Sequence, residues 1–159
     1  MSGKINRLVL LKYVILLCFC VTGCQKSRTV PVLWIENTSG CDVYYESFIG
    51  ADSGKGVITS GGNDVLASIE FPGQVGYTLA VDDFVRGNED SKVTIFKYDT
   101  KEGTYKKVRE WKYSQRNEPG RQLFNESYIL PWSDTPIQSR NNTYEYDYSF
   151  LIMPEDIAE

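Results

Sequence analysis

Thr143-Tyr144-Glu145-Tyr146-Asp147-Tyr148-Ser149-Phe150-Leu151-Ile152 is the stretch that decides the fold class. Tyr144, Tyr146, Tyr148, Phe150 and Ile152 take alternate positions, Thr143, Glu145, Asp147 and Ser149 lie between them, and Leu151 is the exception. A helix would scatter those rings around its circumference, whereas a strand gathers them on one side. Pro154 stops the run. The stretch predicts a strand whose aromatic face turns toward a core.

The same period of two recurs upstream. Val65, Ala67, Ile69 and Phe71 alternate with Asp64, Leu66, Ser68 and Glu70, and Pro72-Gly73 then turns the chain. Val30, Val32 and Trp34, with Leu33 and Ile35, predict an early strand that ends at Glu36-Asn37, before the turn cluster Thr38-Ser39-Gly40. Asp42 to Ile49 reads as a second strand paired with the first. Gly50 to Gly62 is rich in Gly, Ser and Asp and predicts a loop or extended edge, with at most a short strand at Val57-Ile58. Val75 to Val81 predicts another strand, and Lys92 to Tyr98 with Thr104 to Tyr113 a hairpin around Gly103. No segment beyond the first two dozen residues keeps a helical period. About eight short strands, with turn signals at intervals of roughly ten residues, predict an all-β fold: a single antiparallel β-sandwich of Ig-like or similar Greek-key topology.

The N-terminus has a different character. Lys4, Arg7 and Lys12 supply positive charge, no acid precedes Cys24, and Tyr13 to Val21 is unbroken apolar sequence. This order is that of an export signal. A membrane-spanning helix needs about 20 apolar residues, and Lys12 interrupts the run. Val21-Thr22-Gly23-Cys24 resembles the lipobox of bacterial lipoprotein precursors: aliphatic, small, Gly or Ala, then Cys. The resemblance implies cleavage before Cys24 and a diacylglyceryl group on its thiol, with acylation of the new amino terminus. The other reading is an ordinary hydrophobic leader whose cysteine is incidental. Gln25 follows the cysteine where an inner-membrane retention signal would carry Asp, and Gln25-Lys26-Ser27-Arg28 has no acidic surface-export run. The expected location is therefore the outer membrane, facing the periplasm. Residues 1–23 are read as signal peptide, 24–31 as a lipidated tether and 32–159 as the sandwich domain.

The lipobox, the early strand running into Ile35-Glu36-Asn37-Thr38-Ser39 and the Tyr-rich final strand make the layout similar to small β-sandwich lipoproteins of Bacteroidota. That resemblance implies no activity and transfers no site residue.

Removing the leader takes three of 17 Lys plus Arg and leaves 14 against 21 Asp plus Glu, a balance of −7. A nucleic-acid partner would need a basic face, and none is visible. Of four cysteines, Cys18 and Cys20 leave with the leader and Cys24 takes lipid. Cys41 remains alone, which excludes an internal disulfide and reads as a packed thiol. The chain has no histidine, which removes Ser-His-Asp triads, Cys-His pairs and His-based metal sites.

Other chemistry is thin. Gly50-Ala51-Asp52-Ser53-Gly54-Lys55-Gly56 is one residue short of a phosphate-binding P-loop and lacks its Ser or Thr. Asp82-Asp83 and Glu89-Asp90 offer oxygen ligands for Ca²⁺, but their spacing fits no EF-hand. No cofactor or catalytic residue is expected. The leading expectation is a non-catalytic binding or scaffolding domain held at the membrane, with an envelope protein or a glycan as partner. A carbohydrate-binding module is the alternative. Tyr105, Trp111 and Tyr113 share parity with Lys107 and Arg109 between them, and Trp132 follows Pro131, so Tyr105, Trp111 and Trp132 are candidate sugar-stacking rings. The reading preferred over this is that Trp111 and Tyr113 are core, with Lys107 and Arg109 snorkelling or set at a bulge. A carboxylate-dependent hydrolase is the second alternative, and it needs two facing acids in a concave site.

Overall fold

The computed structural model describes residues 27–73, 76–131, 137–139 and 143–158. Ten strands lie among them: β1 (Arg28–Asn37), β2 (Val43–Ile49), β3 (Asp52–Ile58), β4 (Asn63–Ser68), β5 (Phe71–Pro72), β6 (Lys92–Asp99), β7 (Thr104–Lys112), β8 (Ile129–Pro131), β9 (Ile137–Ser139) and β10 (Thr143–Ile152). They form two packed sheets, so the fold is a β-sandwich. The first sheet runs β4-β1-β10-β8, with β5 on β1 and β9 on β10, and the second runs β3-β2-β6-β7. The chain changes sheet after β1, β3, β5 and β7.

The aromatic strand stands where its alternation predicts. Tyr146, Tyr148, Phe150 and Ile152 are buried on the inner face of β10. Leu33 and Ile35 of β1 lie beside Tyr148 and Phe150, and Val43, Tyr45 and Ile49 of β2 with Val93 and Ile95 of β6 supply much of the core from the second sheet. The polar face of β10 is less open than its composition suggests. Ser149 is 1% exposed, and Asp147 accepts a 2.9 Å hydrogen bond from the Trp34 indole on β1.

Several details depart from the sequence reading. β1 and β10 pair in parallel, Arg28 opposite Thr143 through Asn37 opposite Ile152, whereas all pairs were expected antiparallel. Parallel partners need a long crossover, and here the rest of the sandwich lies between them in the chain. β1 also starts at Arg28 rather than Val32, because Arg28 and Thr29 pair with Pro72 and Phe71 as well as with β10. Residues 28–31 therefore belong to the sheet and not to a tether. β2 does not pair with β1 but joins the second sheet. The Asn37 side chain holds this crossing, donating to the Cys41 and Ile58 carbonyls at 2.8 and 2.9 Å.

Of the two readings over 50–62, loop or extended edge, the edge holds for most of it: β3 is an exposed edge strand tied to β2 along its whole length, longer than the short strand expected at Val57-Ile58. In β4, Ala67 lies opposite Leu33 and Val65 opposite Trp34, so the ladder skips Leu66. Leu66 and Ala67 are both buried and Val65 turns outward, which breaks the simple alternation. The strand expected at 75–81 is a loop over 76–80 leading into a short helix, α1 (Val81–Val85). Val81, Phe84 and Val85 fall on one helical face and are buried, while Asp82 and Asp83 suit the helix start. Among the described residues no helix is long and apolar enough to cross a membrane.

Candidate functional site

The outer face of the second sheet carries four rings in contact. Strand pairing sets Tyr44 of β2 beside Phe96 of β6, and Tyr98 of β6 beside Tyr105 of β7. Directly opposed residues share a face, so alternation on three adjacent strands brings all four rings together. Ring centroids are 5.6 Å apart for Tyr44 and Phe96, 5.4 Å for Tyr44 and Tyr105, and 5.3 Å for Tyr98 and Tyr105. Tyr98 and Tyr105 are 48% and 47% exposed, and Val57 of β3 extends the patch beside Tyr44. The rings tilt on one another, which offers both faces and edges to a ligand.

The next row along the strands is polar. Glu46, Thr94 and Glu110 lie side by side on β2, β6 and β7. With Phe96 and Lys107 they line a shallow groove of about 310 Å³. The Tyr44 hydroxyl donates to Glu46 at 3.3 Å and so links the rings to the groove. Glu110 is held from three sides, by Lys107 Nζ at 3.8 Å, Lys112 Nζ at 3.4 Å and the Thr94 hydroxyl at 3.3 Å. Partial burial pushes its carboxyl up, but the two ammonium groups and the hydroxyl outweigh this and leave it below the usual carboxylate range. A general acid needs the opposite shift. The Tyr44 phenol is raised, first by desolvation and then by Glu46.

The sequence-derived ring candidates separate. Tyr105 is part of the cluster. Trp111 is not: it is 1% exposed, packs edge-on against Phe150 at 5.0 Å and donates its indole N–H to the Arg121 carbonyl at 3.0 Å. The physical reason is a bulge in β7. Ile95 lies opposite Arg109 and Phe96 opposite Lys107, so Val108 is the extra residue. Residues on either side of it with the same parity therefore point to opposite faces. Tyr105 and Lys107 turn outward, while Arg109 and Trp111 turn inward. Tyr113 is buried as well and donates to Asp82. Trp132 and Cys24 lie outside the described residues.

The remaining candidates are absorbed by the fold. The glycine-rich stretch is the turn between β2 and β3 followed by β3 itself. Asp82 and Asp83 accept from Tyr113 and Tyr77, the second at 2.8 Å. Among the described residues no three Asp, Glu or Cys gather as a metal-ligating group. A concavity of about 360 Å³ beside Tyr77, Tyr146 and Tyr148 has its carboxylate engaged, Glu126 accepting from the Val81 N–H at 3.1 Å, and the Tyr77 hydroxyl donates to Asp83. Cys41 is half-buried against the core.

Tyr44, Phe96 and Tyr98 were missed by sequence reasoning. Each sits in a stretch that reads as a strand, but period alone does not say which face a second sheet covers. No family model, no curated protein and no solved structure matches this chain, so fold and site stand on their own geometry.

Proposed function

We propose that the mature chain is a lipid-anchored component of a bacterial envelope, at the outer membrane facing the periplasm, and that it binds through the outer face of its second sheet without catalysis. The exposed cluster of Tyr44, Phe96, Tyr98 and Tyr105 carries the binding role, since contiguous exposed rings mark interaction surfaces. The Glu110 carboxyl, pinned by two lysines, favours binding over acid catalysis.

The position of the cluster fits an anchor at Cys24. β1 begins at Arg28, so only residues 25–27 separate the lipid from the sheet. The strand then carries the fold outward by about 30 Å at ~3.3 Å per residue. Its far end, Asn37, bonds Ile58, the neighbour of Val57 in the aromatic row. The rings thus lie at the end of the sandwich remote from the acyl chains. Each buried methylene contributes about 0.8 kcal/mol, so two or three chains on one cysteine hold the domain stably.

Metabolic labelling with a palmitate analogue tests the anchor. Wild type takes label and sediments with membranes, and Cys24→Ala does neither. Equal labelling of the two proteins contradicts the anchor.

A further inference from the structure

We infer that the ligand of this face is a neutral, hydroxyl-rich saccharide chain, an inference that rests on the binding role proposed above. The outer face is organised in rows across the strands. Tyr98 and Tyr105 form the outermost row; Val57, Tyr44, Phe96 and Lys107 form the next. Lys55, Glu46, Thr94 and Glu110 follow, and Phe48, Lys92 and Lys112 come last. Successive rows are two residues apart, so the face extends about 20 Å. Such an open bed suits an extended chain, whereas a small compact ligand is normally enclosed in a deep pocket.

The chemistry of the rows selects the class. The C–H faces of a sugar ring are apolar and pack on aromatic surfaces, which the first two rows offer. Its hydroxyls are each donor and acceptor, and the third row offers two carboxylates and the Lys55 ammonium, with Lys107 and Lys112 in the rows on either side and the nearly buried Thr94 hydroxyl supporting Glu110. These groups are already tied to one another through Glu110, Lys107, Lys112 and Thr94, so little ordering remains to be done on binding. The groove itself is lined by two charges of each sign, Glu46 and Glu110 with Lys92 and Lys107, and Glu89 and Asp90 gather beside Lys92 and Lys112 at its end, so it carries no strong field of one sign for an ionic ligand. A protein partner fits less well, because the core of a protein interface is depleted of charge and this face has a charged row through its middle.

The test uses the full chain and a panel of neutral oligosaccharides (cello-, xylo-, malto- and chitohexaose), with calorimetry and affinity electrophoresis in the matching polysaccharides. Wild type binds at least one. Tyr98→Ala and Tyr105→Ala each weaken that binding about tenfold while the protein stays folded, because both rings are half exposed and binding is read well below the melting transition. Leu130→Ser, an exposed apolar change on the other sheet, leaves it unaltered. Binding to no member of the panel, or binding that survives the double Tyr98→Ala/Tyr105→Ala variant, overturns the inference. So does a photo-cross-linker at position 98 that captures only an envelope protein while no sugar binds. Loss of acyl labelling with sugar binding intact removes the anchor alone; labelling with no sugar binding removes the ligand class alone.

Discussion

Replacing Trp111 with Leu separates a core ring from a ligand platform. Trp111 has three contributions to lose. Its edge-on contact with Phe150 is worth about 1 kcal/mol beyond burial. The indole bond to the Arg121 carbonyl adds about 1 kcal/mol, and that carbonyl keeps Arg109 Nη2 at 3.3 Å, so it is not orphaned. The smaller leucine leaves a partly collapsed cavity costing roughly 1 kcal/mol more. The expected loss is therefore about 3 kcal/mol out of a total of roughly 5–15 kcal/mol. With a urea slope of about 2 kcal/mol/M, the midpoint falls by about 1.5 M. Far-UV circular dichroism is the assay of choice, since removing an indole alters fluorescence directly. Below the transition the variant should bind any ligand of the outer face as wild type does. A midpoint shift worth less than about 0.5 kcal/mol, coupled with lost binding, would refute the placement of Trp111 in the core.

Gly50→Ala should destabilise by more than about 2 kcal/mol: φ is +61°, and the added methyl would sit 2.5 Å from the Phe84 carbonyl oxygen. A neutral result in thermal melts would contradict the turn geometry. Asn37→Ala should cost about 2–3 kcal/mol, because it strips the Ile58 and Cys41 carbonyls of a buried donor; a denaturant midpoint within error of wild type would count against that crossing. Alkaline pH should unfold the protein. The Tyr45 and Tyr77 phenols are raised above their ordinary value, first by burial and then by donating to Asp64 and Asp83 at 2.8 Å. A raised folded pKa contributes stability that is fully present below about pH 10 and is lost as pH rises further. Tyrosinate absorbance should therefore gain a cooperative step that coincides with loss of the β-sheet signal. Gradual ionisation of every tyrosine near pH 10 with the sheets intact would contradict it.

What the sequence discloses follows from how local each determinant is. β10 and the β6–β7 hairpin were readable because period two and a glycine turn act within a few residues. α1 carried a signal too, the spacing of Val81, Phe84 and Val85 with two acids at its start, but a five-residue helix is too short to stand out from strand periodicity. The bulge at Leu66 was hidden, and the one at Val108 could be offered only as one option for Lys107 and Arg109, because one extra residue exists only relative to a partner strand. The second decided the site, since it separates Lys107 and Tyr105 from Trp111. β3 was left open between loop and extended edge, and its length went unread, because its glycines and serine suit a loop, while Gly54 and Gly56 in fact lie against the Tyr45 ring. The aromatic cluster itself is assembled from strands that meet only in the folded sheet.

Oxidative footprinting of the tyrosines in the membrane-attached protein tests most directly whether the aromatic face is the working surface, held clear of the bilayer. Tyr98 and Tyr105 should be modified as readily in membrane vesicles as in detergent, while Tyr45 stays protected in both. Protection of Tyr98 and Tyr105 by the vesicles alone would place that face against the lipid and contradict the account.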